Sequence, residues 1–171
     1  MSKEYRLEIE PSILELLGPS LYTNIYYVLA ELIANAYDAQ ARNVYVIAEK
    51  DCIVVEDDGH GMTYDEGIKN YLAVARESRT TEGGSYTKDG KRRRMGRKGI
   101  GKLAALSVSE NVLVQTRSEG DVSGFILSRH VNNDKLLTPL TEKEISFRKI
   151  TGNGTSIVMT RPEYRLHKTL Q

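Results

Sequence analysis

The sequence contains almost no cysteine and no long apolar run. Cys52 is the single cysteine among 171 residues, so neither an internal disulfide nor a cysteine-based zinc site can form. No stretch approaches the ~18 consecutive apolar residues that a membrane-spanning helix requires. The first residues, MSKEYRLEIEP, lack the apolar segment of a secretion signal. These absences predict a cytoplasmic location and no membrane partner.

Linkers rich in proline or serine are missing as well, and no internal repeat is present. The composition, with 40% apolar and 27% charged residues, is ordinary for a globular protein. Disorder, collagen-like structure and a coiled-coil rod are therefore excluded as descriptions of the whole chain. The length suits one domain with a sizeable core, and we expect residues 1–171 to form it.

Neither sign of charge dominates overall, since 24 basic and 23 acidic residues give a net charge of +1. Residues 88–102, however, contain eight basic side chains and only one acidic one, a local net charge of +7 against −6 for the rest of the chain. Such a segment favours an anionic partner, either a nucleotide phosphate or a nucleic acid. A solvated loop is the alternative interpretation.

The order of the predicted elements indicates an α+β fold. Strands are predicted over 3–10, 43–49, 52–56, 111–116, 123–128, 145–150 and 155–160; helices are predicted to begin at Pro11, to cover 21–41 and 64–74, and to follow Gly99. The polar residues 76–98 read as a long loop, which in a compact domain is usually a functional lid. Helices mostly precede this loop and strands mostly follow it. This order predicts a two-layer sandwich with helices on one face of a mainly antiparallel, mixed sheet.

The long predicted helix carries one apolar and one polar stripe. Its apolar residues at helical spacing, which predict the buried face, are Ile25, Leu29, Leu32, Ile33 and Ala36. Glu31, Asn35 and Asp38 follow the spacing i, i+4, i+7 and share a second, narrow stripe beside the first. Carboxylate and amide oxygens at the edge of a core suit Mg²⁺, which binds few protein oxygens. An exposed polar stripe that merely keeps the helix soluble is the alternative.

Two glycine-containing segments lie further along the chain. DDGHGM, residues 57–62, follows a β-branched strand, and its glycines permit a sharp bend close to a ligand. As a pattern alone it also fits an ordinary turn, and His60 reads as an incidental loop residue. GRKGIGK, residues 96–102, can present free N–H groups to a phosphate. It is not an ordinary P-loop, because Leu103 replaces the magnesium-binding Ser or Thr.

Four segments in this order resemble the GHKL superfamily of ATPases, which includes gyrase B subunits, heat-shock-ninety chaperones, sensor histidine kinases and MutL proteins. ELIANAYDA resembles the N box, DDGHGM the adenine-binding box, GRKGIG the glycine box at the end of the ATP lid, and GNGT, residues 152–155, the final Gly-Thr element. The resemblance spans about residues 20–160. It implies the Bergerat ATP-binding fold with a lid at about 75–98.

The resemblance also implies a role for each matching residue. Glu31 would be the catalytic base that activates water, and Asn35 would hold the Mg²⁺ of bound ATP. Asp57 would accept from the adenine amine with help from Thr155. The remaining residues implied at the nucleotide are Asp38, Ala39, Gly59, Gly61, Met62, Lys98, Gly99, Ile100, Gly101 and Lys102.

The Glu at position 31 of the N box resembles that of the gyrase, chaperone, MutL and MORC branch, which hydrolyses ATP with water. Histidine kinases usually carry Asn at this position. We therefore expect a chaperone-like ATPase that binds ATP and ADP and dimerises when ATP closes the lid. Relatives in this branch receive a Lys or Arg from a following domain, so we expect either the N-terminal part of a longer protein or a stand-alone module, in both cases with slow turnover. A nucleotide-binding regulatory domain without hydrolysis and a basic-lid module for nucleic acid are the alternatives.

Overall fold

The computed structural model describes residues 3–9, 12, 14–15, 21–73, 85–95 and 100–163. Within these ranges, seven strands form one sheet in the spatial order β1-β6-β5-β4-β7-β3-β2, and every pairing between them is antiparallel. The strands are β1 (Tyr5–Arg6), β2 (Val44–Ala48), β3 (Cys52–Asp57), β4 (Asn111–Ser118), β5 (Asp121–Ser128), β6 (Leu136–Pro139) and β7 (Gly154–Thr160). Helices pack on one side of the sheet, so the predicted α+β sandwich is confirmed.

Helix α1 (Ile25–Asp38) is the longest helix among the described residues. It begins after Asn24, whose side chain accepts a hydrogen bond from the Tyr26 backbone N–H. It ends where Gln40 adopts a positive φ of 64°. Its buried residues are Ile25, Val28, Leu29, Leu32 and Ala36. The predicted inclusion of Ile33 in this face is wrong, because Ile33 lies about 100° around the helix from Leu32 and is 44% exposed.

The rest of the helical layer consists of short pieces. A π-helical turn (Tyr64–Ile68) leads into α2 (Lys69–Leu72), and a 3₁₀ helix covers Gly101–Ser107. The helix predicted over 64–74 is therefore part π-helical and part α-helical, and the helix predicted after Gly99 is a 3₁₀ helix. The 3₁₀ helix is unusually long for its kind. Its residues Leu103–Ser107 are buried beneath α1, where Ala104 and Ala105 leave room for close packing.

One predicted strand is absent and one observed strand was not predicted. Residues 145–150 form an irregular segment with a bend at Arg148 and Lys149 rather than a strand, because the backbone N–H groups of Arg148, Lys149 and Ile150 bond to the buried Glu56 carboxylate. Strand β6, which pairs with β5 and β1, was not predicted. Within the long loop predicted over 76–98, residues 85–95 contain a paired hairpin, with Tyr86 opposite Arg93.

Candidate functional site

A cavity of about 210 Å³ lies between the helical layer and the sheet. Its walls come from segments that are far apart in sequence: α1, the end of β3 with the loop after it, α2, the start of the 3₁₀ helix, and β7. The lining residues are Leu32, Asn35, Ala39, Val55, Asp57, His60, Gly61, Met62, Tyr71, Lys102, Thr155 and Ile157. The cavity therefore combines an apolar interior with a few polar side chains, which is the usual make-up of a small-molecule site.

A row of three polar residues crosses the sheet at this cavity. Thr155 of β7 pairs with Asp57 of β3 on one side and with Thr116 of β4 on the other. Asp57 is only 8% exposed, and this burial raises the pKa of its carboxyl to about 6. The Gly59 backbone N–H, 2.9 Å from Oδ1, partly opposes that shift. One carboxylate oxygen is thus held by the chain, and the other can accept from a ligand.

The loop after β3 needs its glycines because other backbone lies against it. A side chain at Gly59 would come within 2.7 Å of the Ala39 carbonyl oxygen. Gly61 has a φ of +68°, and a side chain there would collide with the Arg117 carbonyl. Thr116 fixes the next residue, since its hydroxyl accepts a hydrogen bond from the Met62 N–H at 2.8 Å. The loop therefore presents Met62 to the cavity from a rigid base.

Glu31 of α1 faces the start of the 3₁₀ helix. A Cβ at Gly101 would overlap the Glu31 Oε2 atom, so only glycine allows this approach. Tyr22, which precedes α1, shares the same neighbourhood: burial raises the pKa of its phenol, and the nearby Glu31 carboxylate raises it further. The glycine segment and the carboxylate of the predicted stripe therefore meet, as the sequence motifs require of one site.

Lys102, the residue after Gly101, lines the cavity, and backbone carbonyls hold its ammonium group. Its Nζ donates to the Asn70 oxygen at 2.8 Å and to the Ala73 oxygen at 2.9 Å. It lies 5.8 Å from the ring centroid of Tyr71, whose hydroxyl donates to the Lys102 carbonyl oxygen. Burial lowers the pKa of the Lys102 ammonium to about 8. Lys102 thereby ties the end of α2 to the start of the 3₁₀ helix.

The predicted site residues divide into two groups. Those that line the cavity are Asn35, Ala39, Asp57, Gly61, Met62, Lys102 and Thr155. Those described outside its wall are Glu31, Asp38, Gly59, Ile100 and Gly101. Lys98 and Gly99 lie outside the described residues. The Asp38 carboxylate accepts a hydrogen bond from the Met95 N–H at 2.8 Å, which joins α1 to the hairpin.

Several residues of the site were not predicted. Thr116, Tyr71 and Tyr22 belong to none of the four sequence motifs, and no local pattern distinguishes them. His60, interpreted as an incidental loop residue, lines the cavity, with Nδ1 2.6 Å from the Gly61 oxygen. Thr116 could have been found only from the strand pairing, because it lies opposite the motif residue Thr155 of β7.

Two further properties constrain what the site can hold. Among the described residues, no cluster of three or more His, Cys, Asp or Glu side chains could bind a metal ion. No helix in the described ranges is long and apolar enough to cross a membrane.

Comparison with known proteins agrees with this arrangement. Residues 22–155 match the family model described as histidine kinase-, DNA gyrase B-, and HSP90-like ATPase. The protein named "Putative type II restriction enzyme HgiDII" of Herpetosiphon aurantiacus is 34% identical over 125 residues, covering 73% of this chain and 20% of that protein. The chaperone protein HtpG of Alkalilimnicola ehrlichii is 30% identical over 182 residues, covering 94% of this chain and 27% of the chaperone.

A second HtpG, from Chlorobium phaeobacteroides, is 32% identical over 148 residues, covering 71% of this chain and 23% of the chaperone. The chain thus spans a fifth to about a quarter of the length of these relatives. The family match covers all four motifs, from the N box to Thr155, and the fold brings residues of each motif to the cavity or its rim. The chain belongs to the histidine kinase-, DNA gyrase B- and HSP90-like ATPase family.

Proposed function

We propose that this chain binds Mg²⁺-ATP in the interlayer cavity and hydrolyses it slowly with water as nucleophile, so that ATP drives a conformational change. The observation that carries the proposal is the meeting of three motifs: Asn35 and Asp57 line one cavity, and Gly101 lies against Glu31 at its rim. Family membership supports ATP as the ligand. The residues present fit ATP and Mg²⁺, as the following contacts argue.

The buried carboxylate of Asp57 is suited to the adenine amine. Its Oδ1 is occupied by the Gly59 N–H, so Oδ2 is the oxygen that would accept from the base. Thr155, its partner in the register, would assist through a water molecule. Met62 and Ala39 would pack against the ring. This end of the cavity would therefore select an adenine by one hydrogen bond and by shape.

The triphosphate would extend from there towards Gly101. Asn35 offers the amide oxygen that would hold Mg²⁺, and the scarcity of other ligands fits an ion that keeps water and phosphate around it. Gly99, Ile100 and Gly101 would offer backbone N–H groups, and Lys98 would add positive charge. Among the described residues, Lys102 is the one Lys or Arg that lines the cavity. Such limited neutralisation of phosphate charge favours slow turnover.

Glu31 would orient and deprotonate the attacking water. A positioned base contributes about 10²–10⁴-fold to such a reaction. Tyr22 lies against the same carboxylate and would restrict its orientation. Bound Mg²⁺ would supply charge stabilisation at the phosphates.

The decisive experiment separates binding from hydrolysis. We expect Glu31→Ala to bind a non-hydrolysable ATP analogue normally in calorimetry, but to lose about 10²-fold or more in single-turnover hydrolysis with Mg²⁺. Ile33→Ala, an exposed change on the same helix, is the matched control and should alter neither quantity. Full hydrolysis by Glu31→Ala would remove Glu31 from this role. Binding without hydrolysis by the unmodified chain would instead establish a regulatory nucleotide-binding domain.

The same protein can be tested for assembly. We propose that ATP promotes a homodimer, in which the N-terminal segment that contains β1 is available for exchange because β1 makes only a two-residue pairing at the sheet edge. Light scattering with and without the ATP analogue measures this directly. A doubling of mass with the analogue is the expected result, and an unchanged mass would contradict it.

A further inference from the structure

Residues 85–95 form a short, strongly basic hairpin, which we call the basic hairpin. Tyr86 pairs with Arg93, the Thr87 N–H donates to the Arg92 oxygen at 2.8 Å, and the Arg94 N–H donates to the Ser85 oxygen at 2.9 Å. The segment contains five Lys and Arg residues and a single acid, Asp89. It is therefore a structured element with a net charge of +4.

The basic hairpin is fixed to the C-terminal end of α1. The Arg92 guanidinium donates to the carbonyl oxygens of Tyr37, at 3.3 Å, and Ala41, at 2.9 Å, and it stacks 4.9 Å from the Tyr37 ring centroid. The Met95 N–H donates to Asp38. Carbonyl groups at a helix end lack partners within the helix and attract cations. Arg92 thus has a structural role, which leaves the other cations for a ligand.

The two faces of the basic hairpin differ. Residues opposite each other in an antiparallel pair share a face, so Thr87 and Arg92 lie on the inner face, where Thr87 is buried. Tyr86 and Arg93 occupy the outer face, and Tyr86 is 51% exposed. The Asp89 carboxylate turns back onto the hairpin, where it accepts from the Thr87 hydroxyl at 2.7 Å and the Lys91 N–H at 3.1 Å.

The hairpin also exposes cations in addition to the tyrosine. Lys88 and Arg93 are exposed and form no ion pair with any residue in the described ranges. Between the hairpin and the loop after β3, an open cleft of about 490 Å³ is lined by Lys91, Arg92 and Asp89 of the hairpin and by Arg42. Asp58, which also lines the cleft, is already engaged by the backbone N–H groups of Arg42 and Asn43. The surface as a whole is complementary to a polyanion.

The cations of the basic hairpin lie away from the phosphates of the proposed ATP. None of the hairpin residues lines the interlayer cavity. The hairpin is attached at Asp38, about 10 Å along α1 from Glu31 at a rise of about 1.5 Å per residue. The phosphate end of the proposed site lies at Glu31 and Gly101. The exposed cations are therefore available to a different anion.

We propose that the basic hairpin binds single-stranded DNA, with a base stacked on Tyr86 of its outer face and phosphates held by the exposed cations Lys88, Lys91 and Arg93. Exposed aromatic side chains flanked by cations bind single strands by stacking and charge together. An acidic polypeptide would pair with the cations but would not require stacking on the Tyr86 ring. Recognition of an RNA 2′-hydroxyl requires additional polar groups, and the one acid of the hairpin is turned inwards.

The test measures binding of a labelled oligothymidylate of about 16 nucleotides by fluorescence anisotropy, without ATP. We expect the triple variant Lys88→Gln, Lys91→Gln, Arg93→Gln to bind about tenfold or more weakly. For three phosphate contacts to a single strand, the logarithm of the affinity should fall with the logarithm of salt with a slope of about −2, and the triple variant should flatten it. Tyr86→Ala should weaken binding about tenfold and leave that slope unchanged.

A matched control removes the same charge elsewhere. Lys50→Gln, Lys143→Gln, Lys149→Gln changes three exposed lysines outside the hairpin and should leave DNA binding intact. Equal weakening by this control would overturn the proposal, because binding would then depend on overall charge.

Tighter binding to polyglutamate, or insensitivity to Tyr86→Ala, would identify an acidic polypeptide instead. A tenfold preference for RNA of the same sequence would overturn the assignment to DNA. Asp57→Asn should retain DNA binding, which separates this proposal from the ATP site.

Discussion

A single buried carboxylate, Asp57, determines the chemistry at one end of the cavity. Removing it from water penalises its charged form, and the Gly59 N–H compensates only in part, so its pKa is about 6 rather than near 4. The ionised carboxylate is the stronger acceptor for an amine. The affinity for adenine should therefore follow the titration of this one group.

We predict that adenosine binds about tenfold more tightly at pH 7 than at pH 5. Because the pKa lies near 6, roughly a tenth of the protein is in the binding-competent ionised form at pH 5 and about nine tenths at pH 7. Adenosine is used because it has no phosphate to titrate, and calorimetry gives the affinity at each pH. Asp57→Asn should bind weakly at every pH.

The control for this profile is Asp65→Asn, which alters a carboxylate whose side chain is 87% exposed. It should reproduce the pH dependence of the unmodified chain. A flat profile for the unmodified chain, or a profile that survives Asp57→Asn, would show that another group governs binding.

A second prediction at the residue scale concerns Gly101. Gly101→Ala would place a methyl group on the Glu31 carboxylate and displace it, and displacements of about 1 Å can cost about 10²-fold in rate. Single-turnover hydrolysis should fall by that order. Gly152→Ala, where a side chain meets no atom within 4 Å, should leave the rate unchanged. An active Gly101→Ala would show that this contact is not part of the reacting geometry.

At the scale of elements, side chains that alternate along the strands place two rows of polar residues on opposite faces of the sheet. Asp57, Thr155 and Thr116 form the row at the cavity, and the adjacent residues Glu56, Ser156 and Gln115 form another row one position along. Adjacent residues in a strand point to opposite faces. The second row therefore lies on the face away from the cavity. There Glu56 accepts three backbone N–H groups, and Gln115 accepts the Ser146 N–H at 2.6 Å.

We predict that Glu56→Gln lowers the melting temperature by about 2–12 °C. The amide keeps the shape of the fully buried carboxylate but replaces one acceptor oxygen by a donor, so at least one of the three N–H groups loses its partner. An unsatisfied buried group costs about 1–3 kcal/mol, and each kcal/mol shifts the melting temperature of a chain of this length by about 2–4 °C.

Differential scanning calorimetry provides the measurement, and the exposed change Glu142→Gln is the control. An unchanged melting temperature in Glu56→Gln would mean that residues 145–150 do not depend on this carboxylate.

The same contacts show which parts of the fold were predictable. Helix α1 follows from periodicity, because it buries one face over several turns. Strands β3, β4, β5 and β7 follow from runs of six to eight residues, of which those in β3 and β7 are buried on both faces. Residues 145–150 alternate like a strand, yet their N–H groups bond to side chains that come from β3 and β4. Strand β6 is a short, largely exposed segment that ends in proline, and it exists because β5 and β1 pair with it.

The candidate site likewise contains residues that the sequence predicts and residues that it does not. Glu31, Asn35 and Asp57 lie in contiguous motifs whose spacing has a local physical meaning. Thr116 and Tyr22 reach the site only through strand register and packing. No property of their immediate sequence indicates that role.

At the scale of the whole molecule, the interlayer cavity joins two layers that otherwise meet through apolar side chains. Asn35 and Lys102 belong to the helical layer, whereas Asp57 and Thr155 belong to the sheet. A ligand that contacts both layers would stabilise the folded chain against unfolding by its binding free energy. It should also reduce local opening of both layers at once.

We predict that a non-hydrolysable ATP analogue at about 100 times its Kd raises the melting temperature by about 5–10 °C. Such saturation adds about 2.7 kcal/mol to the free energy of unfolding, converted at about 2–4 °C per kcal/mol. Hydrogen exchange should slow both in α1 and in β3 and β7, because the ligand would bridge the layers. Asp57→Asn should abolish both effects, while Asp65→Asn should preserve them. Protection confined to one layer would place the nucleotide on an outer surface, since a molecule held between helices and sheet cannot restrain one of them alone.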